Sequence, residues 1–375
     1  KIKSVQAREI LDSRGNPTIE VDVNLEDGAY GRASVPSGAS TGTHEAVELR
    51  DNDSNRFFGK GVLSAVNNVN TIINNSLIGV NANQQNKIDE ILIQVDGTEN
   101  KNNLGANAIL GTSIASAKAA SNSYNMPLYK YLNNESNKDF LLPTPLANIL
   151  NGGMHASNSA DFQEYMIVPI GAQSFKESIQ WISEIYHSLK NILASQNMPT
   201  SVGDEGGFAP AFKNNEEPLK FITMAIEKSN FKPGIDIAIA LDPATSEIFN
   251  DNKYNLQTES RQLSSLELIE LWTNWASKYP IISIEDAMAE DDWNGWQGLT
   301  NAIGDKMQLV GDDLIVTNKK RLQKAIDLNA ANSVLIKLNQ IGTISETLET
   351  IQLAKKSGWS TIISHRSGET EDTTI

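Results

Sequence analysis

The sequence predicts an α/β protein in which a (β/α) barrel follows a smaller α+β cap, and three observations carry that prediction. Five short apolar runs each stop at a functional group: Ile235–Leu241 before Asp242, Ile281–Ile284 before Glu285 and Asp286, Met307–Gly311 before Asp312, Ser333–Ile336 before Lys337, and Ser360–Ser364 before His365. From Asp242 to His365 these ends are spaced by 43, 27, 25 and 28 residues, which is the length of a βα unit. At the start of the chain the pattern is different. Ile19, Val21, Val23 and Leu25 alternate with Glu20, Asp22 and Asn24 and run into Asp27-Gly28, the signature of a strand entering an antiparallel hairpin.

Taken in order, the hairpin is followed by the Gly- and Ser-rich stretch Val35-Pro36-Ser37-Gly38-Ala39-Ser40-Thr41-Gly42, which leads to Thr43-His44-Glu45. Composition alone makes it a surface loop; the sharper reading is a mobile lid that offers hydroxyls and His44 to a ligand. Helical spacing covers about 62–78, 84–95 and 105–123, and the last of these is rich in Ala and Ser, as close packing requires. These elements make a first domain of residues 1–133. The polar run 134–143 reads as a linker, and 144–375 as the barrel.

Pro145–Leu150 and Gln163–Pro169 are the expected first barrel strands, with Asn151-Gly152-Gly153-Met154-His155-Ala156 in the turn between them and Glu164 at the second. A helix is expected over 174–195, with His187 on it as a surface or packing residue. Gly203-Asp204-Glu205-Gly206-Gly207 places two acids among glycines, which permits close approach of backbone. Seven barrel strands are countable in all, one short of closure. An open barrel exposes two unpaired edges.

Composition narrows the chemistry. The 375 residues are 39% hydrophobic, with 31 basic and 46 acidic side chains for a net charge of −15, and no basic run suggests a nucleic-acid partner. With no cysteine, a metal would be held by oxygen or imidazole, which favours a hard cation such as Mg²⁺. Neither a signal peptide nor an apolar stretch near eighteen residues is found, so a cytoplasmic protein without a membrane span is the expectation.

Asp242, Glu285 and Asp312, on three barrel strands, suit one octahedral Mg²⁺ with open positions for substrate oxygens. Lys337 and His365 lie on the opposite arc of the same mouth. A desolvated Lys near a cation has its neutral form favoured and serves as a base, and Glu205 and Glu164 supply the acid. Such a set removes a proton next to a carboxylate and assists departure of a β-group. A single strand-end acid is more commonly a cap or salt-bridge partner than a ligand, but five functional strand ends in series are harder to assign that way. Asp286 and Asp313 read as supporting or capping groups, Asp291 and Asp292 as a solvated loop, and Trp293 and Trp296 as core or interface anchors.

Several segments together resemble the enolase family, in its order and from Lys1 to Ile375: Ser37–Gly42, Asn151–Ala156, Gly203–Gly207, Ser283–Asp286, Gly311–Leu314, Lys337–Gly342 and Ser364–Asp372. The resemblance implies an antiparallel-sheet and helix cap before a TIM-like barrel that begins ββαα. It implies reversible dehydration of 2-phospho-D-glycerate to phosphoenolpyruvate, in glycolysis and gluconeogenesis, with two Mg²⁺ per active site. Asp242, Glu285 and Asp312 match the ligands of the first Mg²⁺ and Ser40 the lid ligand of the second. Lys337 matches the base; Glu205, helped by Glu164, matches the acid. Arg366 and Ser367 match phosphate binders, and His155 and His365 the histidines that line the site. A homodimer or octamer is implied as well.

One departure from the pattern stands out. Enolases continue past the Ser-His-Arg-Ser-Gly-Glu segment through a last strand whose Lys binds the substrate carboxylate, and this sequence stops before it. The expectation is an incomplete barrel and a longer native protein. The competing readings are an enzyme of the same superfamily acting on another carboxylate, a truncated inactive enolase, and a surface-displayed binding protein.

Overall fold

The computed structural model describes residues 1–38, 42–133, 140–156, 159–203 and 205–374. Strands β1 (Ile2–Leu11), β2 (Pro17–Leu25) and β3 (Tyr30–Ser34) form an antiparallel sheet in that order. The apolar face read from Ile19, Val21, Val23 and Leu25 is buried against the helix Ala106–Ser123. Small residues make that contact close. A methyl group on Gly31 would meet the carbonyl of Ala115 at 2.2 Å, and one on Gly111 would meet Val21 at 2.6 Å. Residues 63–77 are helical with a π-helical stretch, Val69–Ile73, in the middle, and Gln85–Asp96 completes the layer.

The second sheet has seven strands among the described residues: β4 (Ala147–Asn151), β5 (Glu164–Val168), β6 (Ala238–Asp242), β10 (Ile281–Glu285), β11 (Gln308–Gly311), β12 (Ser333–Ile336) and β13 (Ser360–Ile363). Its spatial order is β13-β12-β11-β10-β6-β5-β4. β5 is antiparallel to both neighbours and every pairing from β6 to β13 is parallel. Two helices, Phe175–Ser195 and Glu217–Lys228, separate β5 from β6, so the sheet has the ββαα start of the resemblance and curls into a half-barrel. All seven strands coincide with runs read from the sequence. The long step from Asp242 to Glu285 has its own cause: a small antiparallel sheet of β7 (Phe249–Asn250), β8 (Lys253–Leu256) and β9 (Arg261–Leu263) is inserted before the helix Ser265–Lys278.

The two domains share a hydrophobic seam. Leu338 and Ile344, from the connection after β12, are part of the cap's core. Around them Ser113 and Asp89 of the cap accept the backbone N–H groups of Ile344 and Ser345, and Lys101 pairs with Glu346 at 3.1 Å. Next to this junction the backbone N–H of Ala46 donates to the carbonyl of Gln340 at 2.8 Å, and Glu45 lines the cavity at the barrel mouth.

One reading changes. Asp292 is no solvated loop residue, because it caps the helix Trp293–Ile303 and accepts from Tyr254 and Ser265. Trp296 is fully buried, whereas Trp293 is half-buried beside Lys324 and Arg321. His187 is exposed on its helix.

Candidate active site

Because the parallel strands β6, β10 and β11 are neighbours, Asp242, Glu285 and Asp312 reach one cavity of about 740 Å³. The same cavity is lined by Glu45, His155, Glu164, Glu205, Lys337, His365, Arg366 and Ser367. Ser40 lies outside the described residues, as does Asp204. The other predicted site residues are therefore gathered at one mouth, at the C-terminal ends of the parallel strands.

On one arc, Lys337 Nζ donates to Asp312 Oδ2 at 2.5 Å and Gln340 Nε2 donates to Asp312 Oδ1 at 2.7 Å. Asp286 accepts the backbone N–H groups of Asp312 and Asp313 at 2.9 and 2.8 Å, the capping role read from the sequence. Among the described residues, the acid set whose oxygens come within 4.8 Å here is Asp286, Asp312 and Asp313, not Asp242, Glu285 and Asp312. The two oxygens of Asp312 turn instead to Lys337 and Gln340. Burial, and after it the charge of Asp312, pushes Asp242 up to about 7. Glu285 is raised well above the usual carboxylate range by burial and by Asp242 and Asp312. Lys337 differs from the sequence-based expectation of a neutral amine. Burial works to lower it, but Asp312 and Glu285 outweigh that and hold it protonated.

On the other arc, Glu205 Oε2 lies 3.5 Å from His155 Nδ1 and 3.4 Å from His365 Nε2, Ser367 Oγ donates to Glu205 Oε1 at 3.0 Å, and Glu164 sits 3.6 Å from His155. The glycines explain how Glu205 gets there. A methyl on Gly203 would strike the His155 carbonyl at 2.5 Å, and one on Gly207 would strike Asn151 at 2.6 Å. The close approach is thus to the β4 turn. Burial and the hydrogen bond with Glu205 push Glu164 well up, so it is the protonated member of the pair. Glu205 is held low in spite of burial by His365, Glu164 and His155, while the bond to Glu205 raises His365 against its own desolvation.

Arg366 is buried and donates to Glu45 at 3.2 Å and Asn339 at 2.8 Å. A separate cluster of His44, Glu290 and Asp291 ties the segment after the Gly-rich stretch to the barrel. Thr43 donates to Glu290 and His44 lies 3.2 Å from Asp291, so His44 contacts the barrel loop instead of the cavity. Glu45, Asn339 and Gln340 were not assigned roles from sequence. Asn339 and Gln340 belong to the Lys337–Gly342 segment, but only the fold shows which way an amide points.

A barrel of this kind, with acids at its strand ends and an α+β domain over its mouth, defines the class. Residues 2–132 match the family model of the enolase N-terminal domain, and residues 139–375 match that of the enolase C-terminal TIM barrel domain. The chain belongs to the enolase family.

Proposed function

We propose that this chain carries out the Mg²⁺-dependent, reversible dehydration of 2-phospho-D-glycerate to phosphoenolpyruvate, the finer form of the enolase-type lyase reaction its family supports. The observation that carries the reading is the pairing of a half-buried lysine with a buried acid on one arc of a cavity and a proton-sharing Glu164–Glu205 pair with two histidines on the other. Asp242, Glu285 and Asp312 would hold the first Mg²⁺, and Ser40 would join a second. The donor set fits a hard cation: it is all oxygen, Asp242 and Asp312 are buried and Glu285 half-buried, and Asp242 and Glu285 are costly to ionise without positive charge beside them. Held there, Mg²⁺ would supply positive charge that stabilises a substrate carboxylate and offsets the charge of Asp312, the acid that Lys337 pairs with.

Lys337, once neutral, takes the C2 proton. Glu205, with Glu164 as its proton partner, protonates the departing C3 hydroxyl, which leaves as water and gives the C2–C3 double bond. Arg366 and Ser367 bind the phosphate, and His155 and His365 line the site between the two ends. We also assign the chain to glycolysis in the cytoplasm, as a homodimer or octamer.

The test is ultraviolet detection of phosphoenolpyruvate formed from 2-phosphoglycerate by this chain. Turnover with Mg²⁺ that stops on adding chelator is the expected result. Absence of turnover in both conditions counts against the reading.

A further inference from the structure

We infer that Gln340 is a positioning residue for Asp312, and that it is aimed by Thr317. The inference rests on the reading above, in which Asp312 holds a cation. Neither residue lines the cavity. Both are buried, Gln340 at 1% exposure and Thr317 at 0%.

Their hydrogen bonds close a ring. The backbone N–H of Lys337 donates to Thr317 Oγ1 at 2.9 Å, and Thr317 Oγ1 donates to Gln340 Oε1 at 2.8 Å. Gln340 Nε2 donates to Asp312 Oδ1 at 2.7 Å, and Lys337 Nζ donates to Asp312 Oδ2 at 2.5 Å. The two carboxylate oxygens of Asp312 are thus gripped separately, one by the proposed base and one by the amide.

Chemistry fixes the amide's orientation. Asp312 and, 3.4 Å away on the cap, Glu45 both accept, so the NH₂ group must face them. The amide oxygen must then find a donor, and Thr317, which already accepts from Lys337, has one proton to give. A flipped amide would set oxygen against two carboxylates.

Backbone geometry adds an independent observation. Val316 and Thr317 have φ of +48° and +53°, and two adjacent β-branched residues in the left-handed region are strained. Strain of this kind persists where the surroundings over-determine it, and it gathers at functional sites. Here it follows directly on Asp312, whose carbonyl accepts from Ile315 and Val316, and it brings the Thr317 hydroxyl to its place between Lys337 and Gln340. Without the amide, Asp312 is left to follow Lys337 alone.

Removing a group that orients a ligand typically costs tenfold or more in metal affinity. The experiment is calorimetric titration of the full chain with Mg²⁺, with circular dichroism to show that each variant is folded. Gln340→Ala is expected to weaken Mg²⁺ binding by about tenfold or more. Thr317→Val should weaken it in the same direction and Thr317→Ser, which keeps the hydroxyl, should restore it. A purely structural role would not follow the hydroxyl in this way. Asp312→Asn is the reference. If Asp312→Asn lowers the affinity and Gln340→Ala does not, the positioning role is overturned and the proposed function stands. If Asp312→Asn changes nothing, the metal reading falls and the inference with it. Should Gln340→Ala fail to fold, Thr317→Val and Thr317→Ser decide the matter by the same titration.

Discussion

The cap sheet and the barrel mouth both bury carboxylates at strands, and they treat them in opposite ways. On the cap, Asp22 accepts from Arg32 at 2.7 Å, from Tyr30 at 2.7 Å and from Arg8, and Glu20 is paired with Arg8. Burial works to raise Asp22, but these partners outweigh it and hold it below the usual range. At the mouth, Asp242 and Glu285 face other acids across one lysine and are pushed up. Asp313, behind them, is pushed up to about 8 by burial and by Asp312. An acid matched by arginine within its own sheet is a structural part. Acids gathered against one another at strand ends are costly, and that cost marks the barrel mouth as the candidate functional site.

Four substitutions would break or sharpen this contrast. The largest effect is expected at the mouth: Lys337→Ala and Glu205→Gln should each lower kcat by about 10²- to 10⁴-fold, the usual contribution of a general acid or base. Steady-state phosphoenolpyruvate formation measures it, and near-normal turnover would remove these residues from the chemistry.

On the cap, Asp22→Asn should leave turnover unchanged but weaken the fold by about 1.5–3 kcal/mol, as loss of hydrogen bonds to charged partners does. Urea unfolding reads the loss. Its sign with pH follows from the depressed carboxyl: the stabilisation is present above the ordinary Asp range and is lost as pH falls through the folded value. Unfolding curves for the two proteins should converge in acid.

The effect at Asp242 has the opposite sign. Its folded value is raised to about 7 from an ordinary 3.8, so its contribution is most favourable below 3.8 and is lost as pH rises to about 7. In chelator, the melting temperature should fall between pH 4 and pH 8, and Asp242→Asn should flatten part of that fall. Mg²⁺ should restore more at pH 8 than at pH 5, since it competes with protons for the same oxygens. An unchanged slope in Asp242→Asn would show that Asp242 is not among the crowded acids.

Much of this was legible beforehand. Apolar runs such as Ile281–Ile284 are read as strands because burial on both faces demands continuous hydrophobicity, and βα spacing orders them. The acid, Lys or His at each end then falls at the catalytic face by topology. Alternation at Ile19–Leu25 similarly predicts the cap sheet, and the Ala- and Ser-rich segment its close-packed helix.

Other features had no local signal. Strand β1 does not alternate cleanly, since much of it is half-buried. The insertion of β7–β9 shows only as a long step. That Arg8 and Arg32 neutralise Asp22, that Gln340 turns to Asp312, and that Tyr254 and Ser265 donate to Asp292 are facts of pairing between distant segments.

The sequence by itself determined the barrel strands and the groups at their ends, because hydrophobic period and residue type are local properties. Only the tertiary structure decided which charges meet. The partner of a carboxylate lies 10 residues away for Asp22 and Arg32, 25 for Asp312 and Lys337, and 321 for Glu45 and Arg366. Electrostatic cost depends on distance through space and on burial, and neither is written along the chain.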